Sequence, residues 1–519
     1  MLSRKVYMLI IVMCIVISAS ACTKKEEALP RVEITTPQTE QSGNIIISYI
    51  LFDKESKPAS ILVQYSLNGG VKYSTASEAA GGDGKSNLQT ALRGIAHSFL
   101  WDSRKDIGDT NHNDIKIAIT PSVGEGDNKL DGKKAYSLIF TVKNFQFSSW
   151  IENVRVDDGA VDTSAETPAV CADSTGIYIA WSDNRDGDYD IFYSFSADKG
   201  ATWSDAVKVN DDSSGANQKT PSIAADSAGC IYLVWEDKRN GKKEIYLATG
   251  FDPGTGFSFG INSRIDDSTA DSFAPAIAVS GTFVYITWTD SRDDTGDIYL
   301  RRSIDATTTW ADVIKINDDS AAVKQETPAL YADGSGNIFV VWSDTRNGNS
   351  DIYFALGTDI EGILTFSDNL RIDDADEDTA ATLPVICGTG TNLYIFWVDA
   401  RNDDGDIFFG RSNDSGTTWN DCKKVNLRSG TFLQTTPTAA AYGTEIYVIW
   451  QDNRDGDANI YLTKGSNLGG TFAIEYRIDD DITTAEQSFP ALTVYNELRF
   501  VAFHDKRSGD ADIYFTTRR

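Results

Sequence analysis

The sequence predicts an all-β protein: a seven-bladed β-propeller closed by an N-terminal strand and preceded by a small β-sandwich. Three observations carry this reading. First, Pro168, Pro221, Pro275, Pro328, Pro384, Pro437 and Pro490 recur at spacings of 53, 54, 53, 56, 53 and 53 residues, and a fixed period of this length marks a repeat architecture. Second, each repeat holds an alternating apolar run such as "IYIAWSDNR", worn in the seventh copy to "LRFVAFHDKR". A Gly/Asp/Asn-rich turn and a D-I-Y-like segment follow. Period-two alternation with β-branched and aromatic residues reads as strand, and four short strands per repeat suit a propeller blade. Third, the seventh repeat stops at Arg519 just after its third strand, while a spare fourth-strand copy, "NVRVDD" at Asn153 to Asp158, precedes the first repeat. The N-terminal strand is therefore expected to complete the last blade and remove two exposed strand edges.

Taken in order, residues 1–21 read as a signal segment. Arg4 and Lys5 precede an apolar run from Val6 to Ile17, too short to span a bilayer comfortably. Ala19-Ser20-Ala21-Cys22 resembles a bacterial lipobox, which implies lipidation at Cys22, a polar tether over 22–30 and an exported, membrane-anchored lipoprotein. Residues 31–145 contain six strand candidates separated by turns, among them "NIIISYILFD" and "IKIAITP". These predict a β-sandwich that resembles immunoglobulin- or fibronectin-III-like modules. Residues 150–519 form the propeller.

Within the propeller, "SADKGATW" at Ser196 to Trp203 recurs in related form at Ser303–Trp310 and Ser412–Trp419. Each copy follows the third strand of an odd-numbered repeat. Fourth strands alternate in step, K-[VI]-N after these copies and R-I-D after the others, which points to a duplicated blade pair. Turn chemistry accounts for every residue. Ser196 and Asp198, Ser303 and Asp305, and Ser412 and Asp414 offer oxygens to backbone N–H groups inside a tight loop. Gly200 and Gly416 supply a positive φ, Thr202 and Thr418 add a hydroxyl, and Trp203, Trp310 and Trp419 cover the hairpin. Thr307 stands where the glycine belongs, so that turn is expected to be less ideal. The pattern S-x-D-x-G-x-T-W resembles the Asp box of the sialidase superfamily, a likeness that covers the propeller. In that family the boxes lie at the blade periphery, away from the active site.

The net charge is −29, which excludes nucleic acid as a partner and leaves any membrane contact to the lipid anchor. Only Cys171, Cys230, Cys387 and Cys422 lie in the body of the chain. They show no disulfide framework spacing and read as buried small hydrophobes. His97, His112 and His504 are the only histidines and lack metal-ligand spacing. No cofactor is expected. Acidic turns at 184–190, 293–297 and 402–406 hold oxygen ligands of the kind calcium needs, but solvated turns are the preferred reading.

The W-x-D-x-R segments set Arg185, Arg239, Arg292, Arg346, Arg401, Arg454 and Arg507 on the loop face where propellers bind ligands. Two readings stand: a ring of arginines facing an acidic ligand, or seven blade-internal Asp–Arg bridges. The second is preferred, because one ligand cannot need seven equivalent groups. Residues that break the repeat are the better site candidates: Glu236, His504, Glu166, Gln218, Glu326, Gln434 and Gln487. The sialidase resemblance implies three arginines gripping a carboxylate, a Tyr–Glu nucleophile pair and an Asp acid/base. No F/Y-R-I-P signature is present, since "RIDD" at Arg264, Arg371 and Arg477 lacks the proline. The function expected is therefore a glycan- or protein-binding scaffold, with a sialidase-like glycoside hydrolase as the alternative.

Overall fold

The computed structural model describes residues 29–518 apart from 38–40, 42–43, 80–81, 108–110, 125, 144–149, 160–162, 252–257, 294, 361, 375–378, 403–404, 427–431, 467 and 474. Cys22 and the signal segment lie outside the described residues, as do parts of the acidic turns at 293–297 and 402–406. The chain divides into two compact units, 1–148 and 149–519.

In the first unit, Arg31–Ile34, Asn44–Phe52 and Ile95–Asp102 form one antiparallel sheet. A second sheet is centred on Ala59–Ser66 and Asn111–Val123. Alternate residues make the shared core: Ile45, Ile47, Tyr49 and Leu51 from the first sheet join Ile61, Val63, Ile115, Ile117 and Ile119 from the second. The five-residue helix Ser103–Ile107 is an addition to the all-β reading. It places Asp106 to accept hydrogen bonds from Trp101 Nε1 and the Ser77 N–H, both at 2.7 Å. Ser66-Leu67-Asn68-Gly69-Gly70 folds like the propeller's hairpin turns: Ser66 Oγ meets Asn68 Oδ1 at 2.8 Å and accepts the Gly70 N–H at 2.9 Å. The same turn chemistry thus operates in a unit of different topology.

In the second unit, seven antiparallel sheets succeed one another among the described residues. The first runs Ala165–Ala172, Ile177–Asp183, Asp190–Ser196, Val207–Lys208. Every second strand is buried along almost its whole length, because each sheet is packed on both faces. Trp181, Trp235, Trp288, Trp342, Trp397 and Trp450 are fully buried there. In the seventh sheet the outermost strand is Val154–Arg155, which pairs with Phe515 and Tyr514. Val156 N–H donates to Ile513 O at 2.8 Å and Asp157 accepts the Ile513 N–H at 2.7 Å. Innermost strands of successive sheets lie side by side, and Gln487–Tyr495 of the seventh lies beside Ala165–Ala172 of the first. The sheets therefore close on themselves in the manner of a β-propeller.

The two-repeat rhythm has a structural cause. After the first, third and fifth sheets' third strands the Ser–Asp turn reverses the chain at once. In the second, fourth and sixth sheets the third strand runs into a further hairpin strand (Ser258–Phe259, Ile363–Phe366, Thr471–Phe472) before the R-I-D strand. The sequence predicts four strands per repeat, and in these sheets the hairpin strand is a fifth.

Each first strand is also interrupted at its proline. Register slips between Glu166 and Ala169, and at the same point in all seven sheets. The residue before each proline, Thr167, Thr220, Ala274, Thr327, Leu383, Thr436 or Phe489, has φ between 45° and 52°. Residues before proline are normally extended, so each site stores on the order of 1 kcal/mol or more of backbone strain.

Candidate functional site

The seven strained prolines converge. With the residues before them they line a depression of about 360 Å³. It lies at the strand ends that carry the W-x-D-x-R loops, because Ala165, three residues before Pro168, pairs with Asp183. Its wall is mostly apolar, and Phe489 is 43% exposed there.

Around this depression the arginines are committed. In the second sheet Asp237 is fully buried and accepts from Trp235 Nε1 at 2.9 Å, from the Arg239 N–H at 2.9 Å and from Arg239 Nη2 at 2.8 Å. The Arg239 guanidinium lies 4.2 Å from the Tyr246 ring centroid, a cation–π contact. Its remaining Nη1 reaches Asp211, in the tail of the first sheet, at 2.6 Å. The same pattern joins Arg185 to Asp183 and Asp158, Arg292 to Asp290 and Asp267, Arg346 to Asp344 and Asp318, Arg401 to Asp399 and Asp374, and Arg507 to Asp505 and Asp480. Each arginine thus bridges its own sheet to the tail of the one before. Burial alone would lower the pKa of Arg239, but Asp237 and Asp211 more than reverse that and raise it. Arg454 is the exception. The tail of the fifth sheet has no aspartate to offer, so Arg454 pairs with Asp452 and turns to Glu475, 2.9 Å away in its own sheet.

The other repeat-breaking candidates divide. Gln218, Gln434 and Gln487 are buried in structural networks rather than on a ligand face. Gln218 Oε1 accepts from Asn210 at 2.9 Å, and Gln487 Nε2 donates to Asp481 at 3.1 Å. Glu326 sits 2.5 Å from Lys324. Glu236 is buried, accepts the Ala274 N–H at 2.9 Å and pairs with Lys243 at 2.7 Å. His504 is 5% exposed, beside Phe489, and among the described residues neither ring nitrogen has a hydrogen-bond partner. Burial, then Lys506, pulls its pKa down to about 4.

Glu166 is different. Tyr189 Oη donates to Glu166 Oε1 at 2.9 Å. Lys219 Nζ lies 3.6 Å from Glu166 Oε2 and 3.4 Å from the Tyr189 ring centroid. Burial and then the Glu166 hydrogen bond raise the Tyr189 pKa, so the phenol keeps its proton at neutral pH. Glu166 directly precedes Thr167, which lines the depression. Tyr189 was missed from sequence. Its signal was an aromatic residue just before Asp190, where the other repeats carry Lys243, Gly296, Ser350, Gly405, Ala458 and Ala511.

The Asp-box residues behave as turn residues. Asp198 meets Ser196 Oγ at 2.9 Å and accepts the Thr202 N–H at 2.8 Å and the Thr202 hydroxyl at 2.7 Å. The Gly200 N–H donates to Ser196 Oγ at 2.8 Å. Asp305 and Asp414 repeat this pattern with Ser303 and Thr309, and with Ser412 and Thr418. These bonds lower the Asp198 pKa, those from Thr202 most. Trp203 packs edge-on against Phe515, centroids 5.0 Å apart, and Trp419 likewise against Phe354 at 5.1 Å. Thr307 makes the glycine's bond to Ser303 at 2.9 Å but at φ 72°.

Cys171 and Cys387 are buried and free; Cys230 and Cys422 are free but only half-buried, a partial correction to the core role expected of all four. Among the described residues no group of three or more His, Cys, Asp or Glu side chains is placed to hold a metal ion.

The fold and site together define a β-propeller with Asp-box-type turns. No protein-family model matches this chain, and no curated protein matches it. Solved structures similar to it include an α-L-arabinanase of Penicillium chrysogenum complexed with arabinobiose, at 14% identity over 57% of this chain and 92% of that one, TM-score 0.42. Others are the NanB sialidase of Streptococcus pneumoniae, at 13% identity over 92% and 95%, TM-score 0.41, and the polysaccharide lyase Uly1, at 10% identity over 72% and 94%, TM-score 0.47. These similarities assign no role to any residue of this chain.

Proposed function

We propose that the chain is an exported lipoprotein anchored through Cys22, with an immunoglobulin- or fibronectin-III-like spacer and a seven-bladed propeller that hydrolyses an uncharged glycan at the proline-lined depression. The observation that carries this is the Tyr189–Glu166 contact. In such an arrangement the Tyr189 oxygen would attack the anomeric carbon as its proton passes to Glu166, the leaving sugar oxygen would take a proton from water, and water would then displace the tyrosyl oxygen, Glu166 returning the proton to it. The substrate is taken as uncharged because the seven arginines of this face are each paired with acidic side chains and Lys219 lies against Glu166, which disfavours an arginine clamp on a sugar carboxylate. That same commitment favours a second reading, glycan binding without chemistry.

Incubation with a panel of neutral and sialylated oligosaccharides tests the proposal. Release of reducing ends from a neutral member, lost by about 100-fold or more in Glu166→Gln, supports hydrolysis. Binding without release supports the second reading. Neither binding nor release from any member refutes both.

A further inference from the structure

At the strand ends opposite the prolines, a cavity of about 510 Å³ opens between the third and fourth sheets, a volume suited to a small organic ligand. One side is aromatic: Phe283 and Tyr285 stack with centroids 6.1 Å apart and planes 9° apart. Another is the long hairpin of the fourth sheet, Asp351–Ile360 returning through Ile363–Phe366. Arg302 of the third sheet anchors that hairpin, pairing with Asp359 and donating to Gly362 O at 2.6 Å. The two charges neutralise each other, and Asp359, which also accepts the Gly362 N–H at 2.9 Å, lies on the cavity wall.

The cavity is open rather than filled. A Cβ placed on Gly336 or Gly362 would meet no heavy atom within 4 Å, although both residues line it. Its polar lining is only partly spent: Asn337 Nδ2 donates to Asp333 at 2.7 Å, and Asp359 is held by Arg302 and by the Gly362 N–H. Tyr178 and Tyr232, at the same place in the first and second sheets, give their hydroxyls to Asp173 and Asp226 at 3.0 Å. Among the described residues nothing holds the Tyr285 hydroxyl, which lies in the field of Arg302, Asp359 and Asp333. The related cavity between the seventh and first sheets, about 380 Å³, differs in this respect. There Asp173 already takes bonds from Thr175 and Tyr178.

The geometry points to a second ligand site in the cavity between the third and fourth sheets, which takes an uncharged sugar ring independently of the proline-lined face. The half-buried Phe283 ring, backed by the fully buried Tyr285, offers a surface for the apolar face of the ring. The Tyr285 hydroxyl offers one partner for its hydroxyls, and the Asn337 amide, beyond its Nδ2 bond to Asp333, offers a second. A charged ligand would lose hydration with no unpaired counter-ion to replace it.

Saturation-transfer NMR with methyl glycosides of neutral pentoses and hexoses tests this on the full chain. Two variants report: Ser335→Trp, which fills the cavity from an exposed turn, and Tyr285→Phe, which removes one hydroxyl and keeps the ring. The expected result is transfer to at least one glycoside, reduced about fivefold or more in Ser335→Trp and measurably in Tyr285→Phe. Cleavage at the other face, where present, is unchanged in both. No transfer to any glycoside, or equal transfer in wild type and Ser335→Trp, overturns the site. Loss of cleavage in Glu166→Gln reports on the proline-lined face alone, so the two proposals fail separately.

Discussion

Arg239 holds two aspartates, and their environments predict very different energies. Asp237 is fully buried and accepts from Trp235, from the Arg239 backbone and from the Arg239 guanidinium. Asp237→Asn replaces one acceptor oxygen by an NH₂ that faces donors and leaves a largely buried guanidinium without its main counter-charge. Breaking a buried pair in this way costs about 3–5 kcal/mol. Asp211 lies as close to Arg239, at 2.6 Å, but its side chain is 42% exposed. Water screens that pair, and Asp211→Asn should cost about 0–1 kcal/mol. With an unfolding entropy of about 2 cal/mol/K per residue, the first substitution lowers the melting temperature of the propeller transition by roughly 5 °C and the second by roughly 1 °C or less. Calorimetry and urea midpoints on the full chain measure both. Equal shifts for the two variants would refute the argument that burial, not distance, sets the strength of these bridges.

Other outcomes follow from the same structure. Gly200→Ala should destabilise by about 1–3 kcal/mol, because φ is +87° and a Cβ would stand 2.1 Å from Phe515; a urea midpoint equal to wild type would contradict this. Thr307→Gly should stabilise by up to about 1 kcal/mol, since Thr307 bears φ 72° without need. Deleting residues 150–158 removes the closing strand's hydrogen bonds and the buried Val156. That should cost on the order of 5 kcal/mol, read as broad loss of amide protection across the first and seventh sheets. His504 is protonated in the unfolded chain below its ordinary value near 6.5 but in the folded protein only near 4. Stability should therefore fall as pH drops from 6.5 toward 4, by up to about 3 kcal/mol. His504→Phe removes that part of the pH dependence, measured as the difference in urea midpoint between pH 7 and pH 5.

Much of the ring was legible because each sheet solves the same packing problem. The alternation in "IYLVWED", the terminal W-x-D-x-R and the spare strand at Val154 are local signals, and local signals survive repetition. The Asp boxes were legible as turns for the same reason: Ser196 and Asp198 bond within eight residues of sequence. What was not legible depends on neighbours far apart in the chain. The "DD" tails were visible, but nothing local says that Asp211 belongs to Arg239 or that Asp158 belongs to Arg185 across the closure. The fifth strand in even sheets was hidden because segments such as Ile363–Phe366 are short and flanked by glycine. Glu166 could be named as a break in the repeat, whereas its partner Tyr189 lies 23 residues on in a turn that reads as solvent-exposed.

The proposed function rests on Glu166 acting beside Tyr189, and reducing-end release from neutral oligosaccharides tests it most directly. Wild type should release reducing ends, Glu166→Gln should not, and both should melt at the same temperature. Equal release by the two proteins, or no release by wild type from any neutral glycan, would contradict that claim.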